Sequence, residues 1–164
     1  MRDLVILFFD SLFMTFLGQK IPIKFFSPHM WLFKERLWEK GGDIYQQLFK
    51  VKAWKTSLPE VGDFIKSVFK KKHLWKFTKD YLSCFILESC KAELTHWMII
   101  VSAFLISCWD RISAGWMVFW FSVLLNSPYI IIQRYNRPRI LKLVLHNINW
   151  DLSDRKDYAG AHSS

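Results

Sequence analysis

A chain of 164 residues that is 52% hydrophobic and 18% aromatic, yet carries a formal net charge of +9, lacks the balanced surface of a soluble domain of its size. Excess cation beside apolar runs suits the anionic cytoplasmic face of a bilayer; nucleic-acid binding is disfavoured because the lysines flank apolar spans and no RNP-like aromatic pattern accompanies them. Cys84, Cys90 and Cys108, an odd count without C-x-x-C or metal-ligand spacing, argue against both a disulfide framework and a zinc site.

The first apolar run, Leu4 to Leu17, is interrupted only by Asp10 and predicts a short anchor helix over 4–17 that ends near Gly18 and Pro22. No small-x-small cleavage site follows it, which favours an anchor over a signal peptide. A basic, aromatic cytoplasmic segment then occupies 18–80. Trp31, Leu32, Leu37 and Trp38 can share a helical face that Gly41 and Gly42 end. Residues 50–79 hold nine lysines against Glu60 and Asp63, with "WKTSLPE" as a turn and "KKKHLWK" as the densest block, a cytoplasmic signature.

From Tyr81 to Trp109 no proline or glycine interrupts the chain, and a helix over that range would measure roughly 43 Å, longer than a hydrocarbon core. Its first half carries Glu88, Lys91, Glu93 and His96, so it begins in the interface and ends across the bilayer. After the polar turn "DRISAG", "WMVFWFSVLLNSPYIII" returns as an apolar run of 17 residues, the low end of spanning length. Residues 81–132 therefore predict an antiparallel helical hairpin, transmembrane or re-entrant. A basic cytoplasmic tail, 133–164, ends in a disordered "YAGAHSS".

The predicted fold is an all-α membrane protein, one membrane domain over 1–164: an N-terminal anchor helix, the hairpin, and basic amphipathic cytoplasmic helices. Lysine bias makes it a multi-pass protein of the cell membrane, with basic loops cytoplasmic and Asp110 and Arg111 outside. Trp97, Trp109 and Trp116, at the ends of apolar runs, fall at headgroup level.

Two stretches carry candidate chemistry. In "ESCKAELTHW" the helical period sets Glu88, Lys91 and Thr95 along one stripe, with His96 beside it and Glu93 beyond. Helices joined at 110–115 place at equal depth residues whose numbers sum to about 223, given a common rise per residue. His96 then lies level with Asn126 and Ser127, Glu93 with Ile130, and Glu88 with Arg134 and Tyr135. Pro128 lacks an N–H and leaves the Leu124 carbonyl without its helical donor, predicting a bend beside Asn126. Ionisable groups at membrane depth cost roughly 3 kcal/mol each on insertion scales and call for partners. The expected pairs are Glu88 with Arg134 or Arg137, and His96 with Asn126 or Glu93.

Taken singly, each group has a plainer role. Glu88, Lys91 and Glu93 suit a solvated helix face, His96 a structural histidine, and "QRYNRPR" a positive-inside stop signal; Cys90 reads first as a structural thiol. Their matched depth favours a site. An H-x-x-x-x-D acid is missing after His96, where Val101 stands, and after His73, where Thr78 stands, and G-x-S-x-G, H-E-x-x-H and phosphate-cradling glycine loops are absent.

"VKAWKTSLPE" (51–60), "ESCKAELTHW" (88–97) and "NSPYIIIQRYNRPR" (126–139), with "LGQKIP" (17–22) as a weaker match, resemble the glycosyl-4,4'-diaponeurosporenoate acyltransferases of staphyloxanthin-type carotenoid synthesis in order and spacing. The resemblance covers roughly residues 17–143 and departs in 60–80 and at Ser89 and Cys90. It implies a membrane enzyme that esterifies the C6 hydroxyl of a glucose on a C30 carotenoid acid with a fatty acyl group, the last step of that synthesis. No cofactor or metal is implied beyond the acyl donor, which is acyl-CoA, acyl carrier protein or phospholipid. Other partners are membrane lipid and other carotenoid-pathway enzymes, with no nucleic acid. Since no catalytic residue comes with the resemblance, roles rest on the residues. His96, helped by Glu93, is the candidate base, and Glu88 holds the arginines. Arg134, Arg137 and Arg139 bind a donor phosphate or the oxyanion, and Asn126 donates to sugar or acyl carbonyl. Gln133, Tyr135 and Asn136 of the same motif, with Lys91, complete the binding set. The alternatives are a non-catalytic membrane scaffold or lipid-binding protein, and an acyltransferase acting on another glycolipid.

Overall fold

The computed structural model describes residues 2–58, 79–109 and 114–161. The lysine block at 59–78, the turn at 110–113 with Asp110 and Arg111, and 162–164 lie outside the described residues. Every regular element among the described residues is helical. α1 (Arg2–Lys20) is followed by a 3-10 turn at Ile23–Phe25, a second at Leu37–Gly42, α2 (Asp43–Phe49), α3 (Val51–Trp54) and a 3-10 turn at Lys55–Ser57. The long helices α4 (Lys79–Trp109) and α5 (Ala114–Ala161) complete the chain. Leu82–Trp109 and Trp116–Leu145 are long and apolar enough to cross a membrane.

Three expectations change. Trp31, Leu32, Leu37 and Trp38 share no α-helix: the chain turns there, and Leu37 is 100% exposed. Lys40, Gly41 and Gly42 all take positive φ, which no right-handed helix accommodates, so the two glycines close the short 3-10 turn and lead into α2. α1 outruns its predicted 4–17 at both ends. α5 does not stop at 132; it passes Pro128 and Pro138 and stays helical to Ala161, through the start of the segment expected to be disordered. Near Pro128, the Asn126 Nδ2 donates to the Ser122 carbonyl (2.9 Å) and the Ser127 hydroxyl to the Val123 carbonyl (2.5 Å), adding side-chain bonds where the proline ring disturbs the ladder.

The chain groups into two compact units. The first comprises Met1–Arg36 and Leu87–Arg134. Leu7 of α1, Ala103 of α4 and Val118 of α5 form one apolar cluster there; Phe26, Phe33 and Cys90 form another, flanked by Leu32 and Leu94. Asp10, which looks like an interruption in sequence, accepts a hydrogen bond from the Ser102 hydroxyl at 2.6 Å. Facing outward are Phe8, Phe9 and Phe13 on α1, Leu105 on α4, and Met117, Trp120 and Leu124 on α5, each more than half exposed. So much outward apolar surface suits lipid better than water.

α1 and α4 come close at Gly18, where an added Cβ would stand 2.2 Å from Thr95 Oγ1 and 3.1 Å from its Cβ and Cγ2. Thr95 is β-branched and its hydroxyl donates to the Lys91 carbonyl, so it gives way poorly. Gly18→Ala is therefore expected to destabilise the protein by about 1–3 kcal/mol through overpacking. Adding Thr95→Ala should restore most of the loss in a thermal melt of the detergent-solubilised protein; a single variant melting like wild type would contradict the close approach.

The second unit comprises Leu37–Ile86 and Tyr135–Ser164. Leu82 and Ile86 of α4 pack on Val144 of α5, with Ile140 and Leu141 alongside. This burial keeps α5 helical beyond its arginines. The Glu39 carboxylate, 2% exposed, accepts from the Tyr45 hydroxyl at 2.5 Å and anchors the left-handed Lys40–Gly42 turn to α2.

Candidate active site

In the first unit a polar group is set between helices otherwise packed with apolar side chains. Glu93, 0% exposed on α4, receives Arg134 Nε at 2.8 Å, and Arg134 Nη2 reaches the Leu32 carbonyl at 2.5 Å. The Trp97 indole N–H also points to Glu93 Oε1, at 3.4 Å. A buried carboxylate is tolerable only when paired and hydrogen-bonded, and Arg134 supplies both.

One turn further along α4, His96 Nδ1 lies 2.8 Å from Asn126 Oδ1, and its ring stacks on Tyr129 at 4.7 Å between centroids. The Asn126 amide has a defined orientation because its Nδ2 donates to the Ser122 carbonyl. Oδ1 therefore accepts, His96 Nδ1 carries the proton, and the basic lone pair of the neutral ring sits on Nε2. A histidine held in one tautomer by an acceptor on Nδ1 and by a stacked ring has the arrangement of an oriented general base. Ser122 Oγ, also buried, has no hydrogen-bond partner among the described residues.

The second unit holds the rest of the arginine motif. Tyr135 is 2% exposed, and Arg139 lies over its ring at 3.7 Å while donating through Nη1 to the Tyr135 carbonyl at 2.8 Å. Arg139 Nη2 pairs with Asp43. Lys55 Nζ stands 5.1 Å from the same ring centroid and 3.4 Å from Asn136 Oδ1. Burial, then the positive charges of Arg139 and Lys52, hold the Lys55 ammonium below its ordinary pKa of 10.5. Arg137 is 3% exposed.

Of the residues singled out in sequence, the structure thus joins His96 to Asn126 and Glu93 to Arg134 in one unit, and Tyr135, Asn136 and Arg139 around Lys55 in the other. Glu88 is exposed, and Glu93 takes Arg134 in its stead. Lys91 Nζ donates to the Gln19 carbonyl at 3.0 Å, tying α4 to the end of α1, and Gln133 is half-buried. Cys90 is 0% exposed in the Phe26 and Phe33 cluster, a packing position. Tyr129, Asp43 and Lys55 carried no assignment from sequence, although Lys55 lies inside "VKAWKTSLPE" and Tyr129 inside "NSPYIIIQRYNRPR". Among the described residues no three His, Cys, Asp or Glu side chains gather to hold a metal ion.

The model of the glycosyl-4,4'-diaponeurosporenoate acyltransferase family matches residues 29–146, which include both groups of side chains. Curated proteins with that name from Staphylococcus aureus strains bovine RF122 / ET3-1, N315 and USA300 are each 31% identical over 128 residues, covering 78% of this chain and 77% of theirs. No solved structure matches. With the family model matched over 29–146 and these relatives aligned over 78% of its length, the chain belongs to the glycosyl-4,4'-diaponeurosporenoate acyltransferase family and is an acyltransferase.

Proposed function

We propose that the protein transfers a fatty acyl group to the C6 hydroxyl of the glucose on a glycosylated carotenoid acid, completing a staphyloxanthin-type pigment. The observation that carries the reading is the bond from His96 Nδ1–H to Asn126, which leaves Nε2 as the base. The sugar O–H breaks as its proton passes to Nε2, and the oxygen attacks the acyl carbonyl to form a tetrahedral oxyanion. Collapse expels the donor's leaving group, which takes the proton back from His96. Arg134, held by Glu93 and the Leu32 carbonyl, is a pre-oriented cation for the oxyanion. Arg137 and Arg139 serve the anionic part of the donor.

Membrane placement follows from the apolar outward faces of α1, α4 and α5 in the first unit, which suit an extended polyene as well as lipid. In this reading α4 and α5 form an antiparallel hairpin in the cell membrane, with the lysine-rich segment and the arginines cytoplasmic. The test is acyl transfer by the purified full chain in bilayer discs, given a glucosylated carotenoid acid and a fatty acyl-CoA. Mass spectrometry and position-resolved NMR of the product should find one ester, on C6. An ester on another glycolipid alone, or no ester with any donor class, would sink the proposal.

A further inference from the structure

We propose that Lys55, Arg139 and the Tyr135 ring form a binding site for a phosphate group of the acyl donor. The proposal rests on reading the donor as phosphate-bearing and adds Lys55 and a neighbouring cation, Lys52, to that part of the enzyme.

The geometry is that of a cation cluster held open. Lys55 and Arg139 are drawn over one buried aromatic ring, at 5.1 and 3.7 Å from its centroid, where cation–π attraction fixes both. Arg139 is further fixed by the Tyr135 carbonyl and by Asp43, itself exposed on α2. Lys55 has only the neutral Asn136 oxygen, at 3.4 Å, and among the described residues no carboxylate pairs with it. Lys52, on the preceding helical turn, adds repulsion to that of Arg139. Three cations thus answer to one carboxylate, leaving about two positive charges uncompensated, close to the charge a phosphate monoester carries near neutral pH. Like charges held together without a counterion cost free energy that an incoming dianion removes. The Lys55 pKa is lowered first by burial and then by the repulsion of Arg139 and Lys52.

Binding a phosphate raises the Lys55 pKa again, so affinity should be full where the free ammonium is protonated and fall as pH rises through its lowered pKa, below 10.5. The same free Lys55, being more readily deprotonated, is a good nucleophile for an amine-acylating reagent. Two sources of phosphate are distinguishable: the monoester and pyrophosphate of coenzyme A, and the diester of an anionic phospholipid.

The experiment is competitive labelling of the full chain in neutral detergent by a limiting dose of amine-acylating reagent, read by peptide mass spectrometry. Coenzyme A, phosphatidylglycerol or an unphosphorylated fatty acid is added in separate arms. Labelling of Lys55 should drop about tenfold with coenzyme A at roughly ten times its Kd, while exposed Lys24 labels as before. Protection by phosphatidylglycerol alone would assign the site to a lipid phosphate. Protection by neither, equal protection by the fatty acid, or a Lys55 that never labels while Lys24 does, would overturn the proposal. In turnover, Lys55→Gln should raise the donor KM by about tenfold or more, the worth of one charge-assisted hydrogen bond, with a smaller change in kcat. Lys55→Arg should recover much of that KM, and Lys24→Gln should leave it unchanged. Because protection reads binding alone, protection without acyl transfer defeats the catalytic reading and leaves this site intact. Acyl transfer with Lys55 unprotected does the reverse.

Discussion

Arg134→Met is expected to destabilise the protein by about 3–5 kcal/mol, the usual consequence of leaving a buried charge without its partner. Glu93 is 0% exposed and Arg134 only 14%, so water cannot take over when the guanidinium is gone. Truncation also frees the Leu32 carbonyl and loosens the segment that carries Phe33 into the Cys90 cluster. The loss should show as an earlier thermal transition in detergent and as abolished acyl transfer. Adding Glu93→Leu removes the stranded carboxylate, and the Arg134→Met/Glu93→Leu protein is expected to regain most of the stability, since an apolar pair can replace a buried ion pair without penalty. Its acyl transfer should stay lost. That divergence separates the pair's contribution to folding from the positive charge it holds for chemistry. An Arg134→Met protein as stable as wild type would show that the pair does not form.

How much of this was legible beforehand depended on the distance over which each signal acts. Helix rise alone brings His96 level with Asn126, and the two side chains do meet, because both are short and stay near their own depth. The same rule puts Glu93 beside Ile130 and Glu88 beside Arg134, yet Arg134 joins Glu93. An arginine side chain reaches about a helical turn from its Cα, so backbone register leaves its partner open between acids a turn apart. Burial decides, and burial is not written in spacing. The apolar period around Trp31 to Trp38 predicts a helix, but the pull of Phe26 and Phe33 into the first unit's core overrides it. The end of the apolar run at 132 predicts the close of the hairpin, yet α5 continues through Pro138. Packing of Ile140, Leu141 and Val144 on Leu82 and Ile86 outweighs the one hydrogen bond a proline removes. Lys55 and Asp43 reach Tyr135 and Arg139 across eighty or more residues of chain, and no local period reports a contact of that range.

His96→Ala is expected to lower kcat by about a hundred- to ten-thousandfold, the range for removing a general base, with little change in melting because the imidazole is only half-buried. Structural and catalytic roles for this histidine predict different patterns in its neighbour. Asn126→Leu removes the acceptor that fixes Nδ1–H and leaves the amide's Ser122 bond unmade, so the ring can place its proton on either nitrogen. A fraction of molecules then presents Nε2–H, which cannot accept a proton, and kcat should fall with the donor KM unchanged. Asn126→Asp keeps an acceptor on Nδ1 and should retain more activity than Asn126→Leu despite adding a charge at membrane depth. Exogenous imidazole provides the sharper discrimination: if His96 supplies only packing, added imidazole does nothing for His96→Gly, whereas a missing base can be replaced from solution and activity should rise with imidazole concentration. A His96→Ala enzyme with wild-type kcat would move the base elsewhere in the chain, and the stacked, tautomer-fixed ring between Asn126 and Tyr129 would then be a structural element of the helix pair.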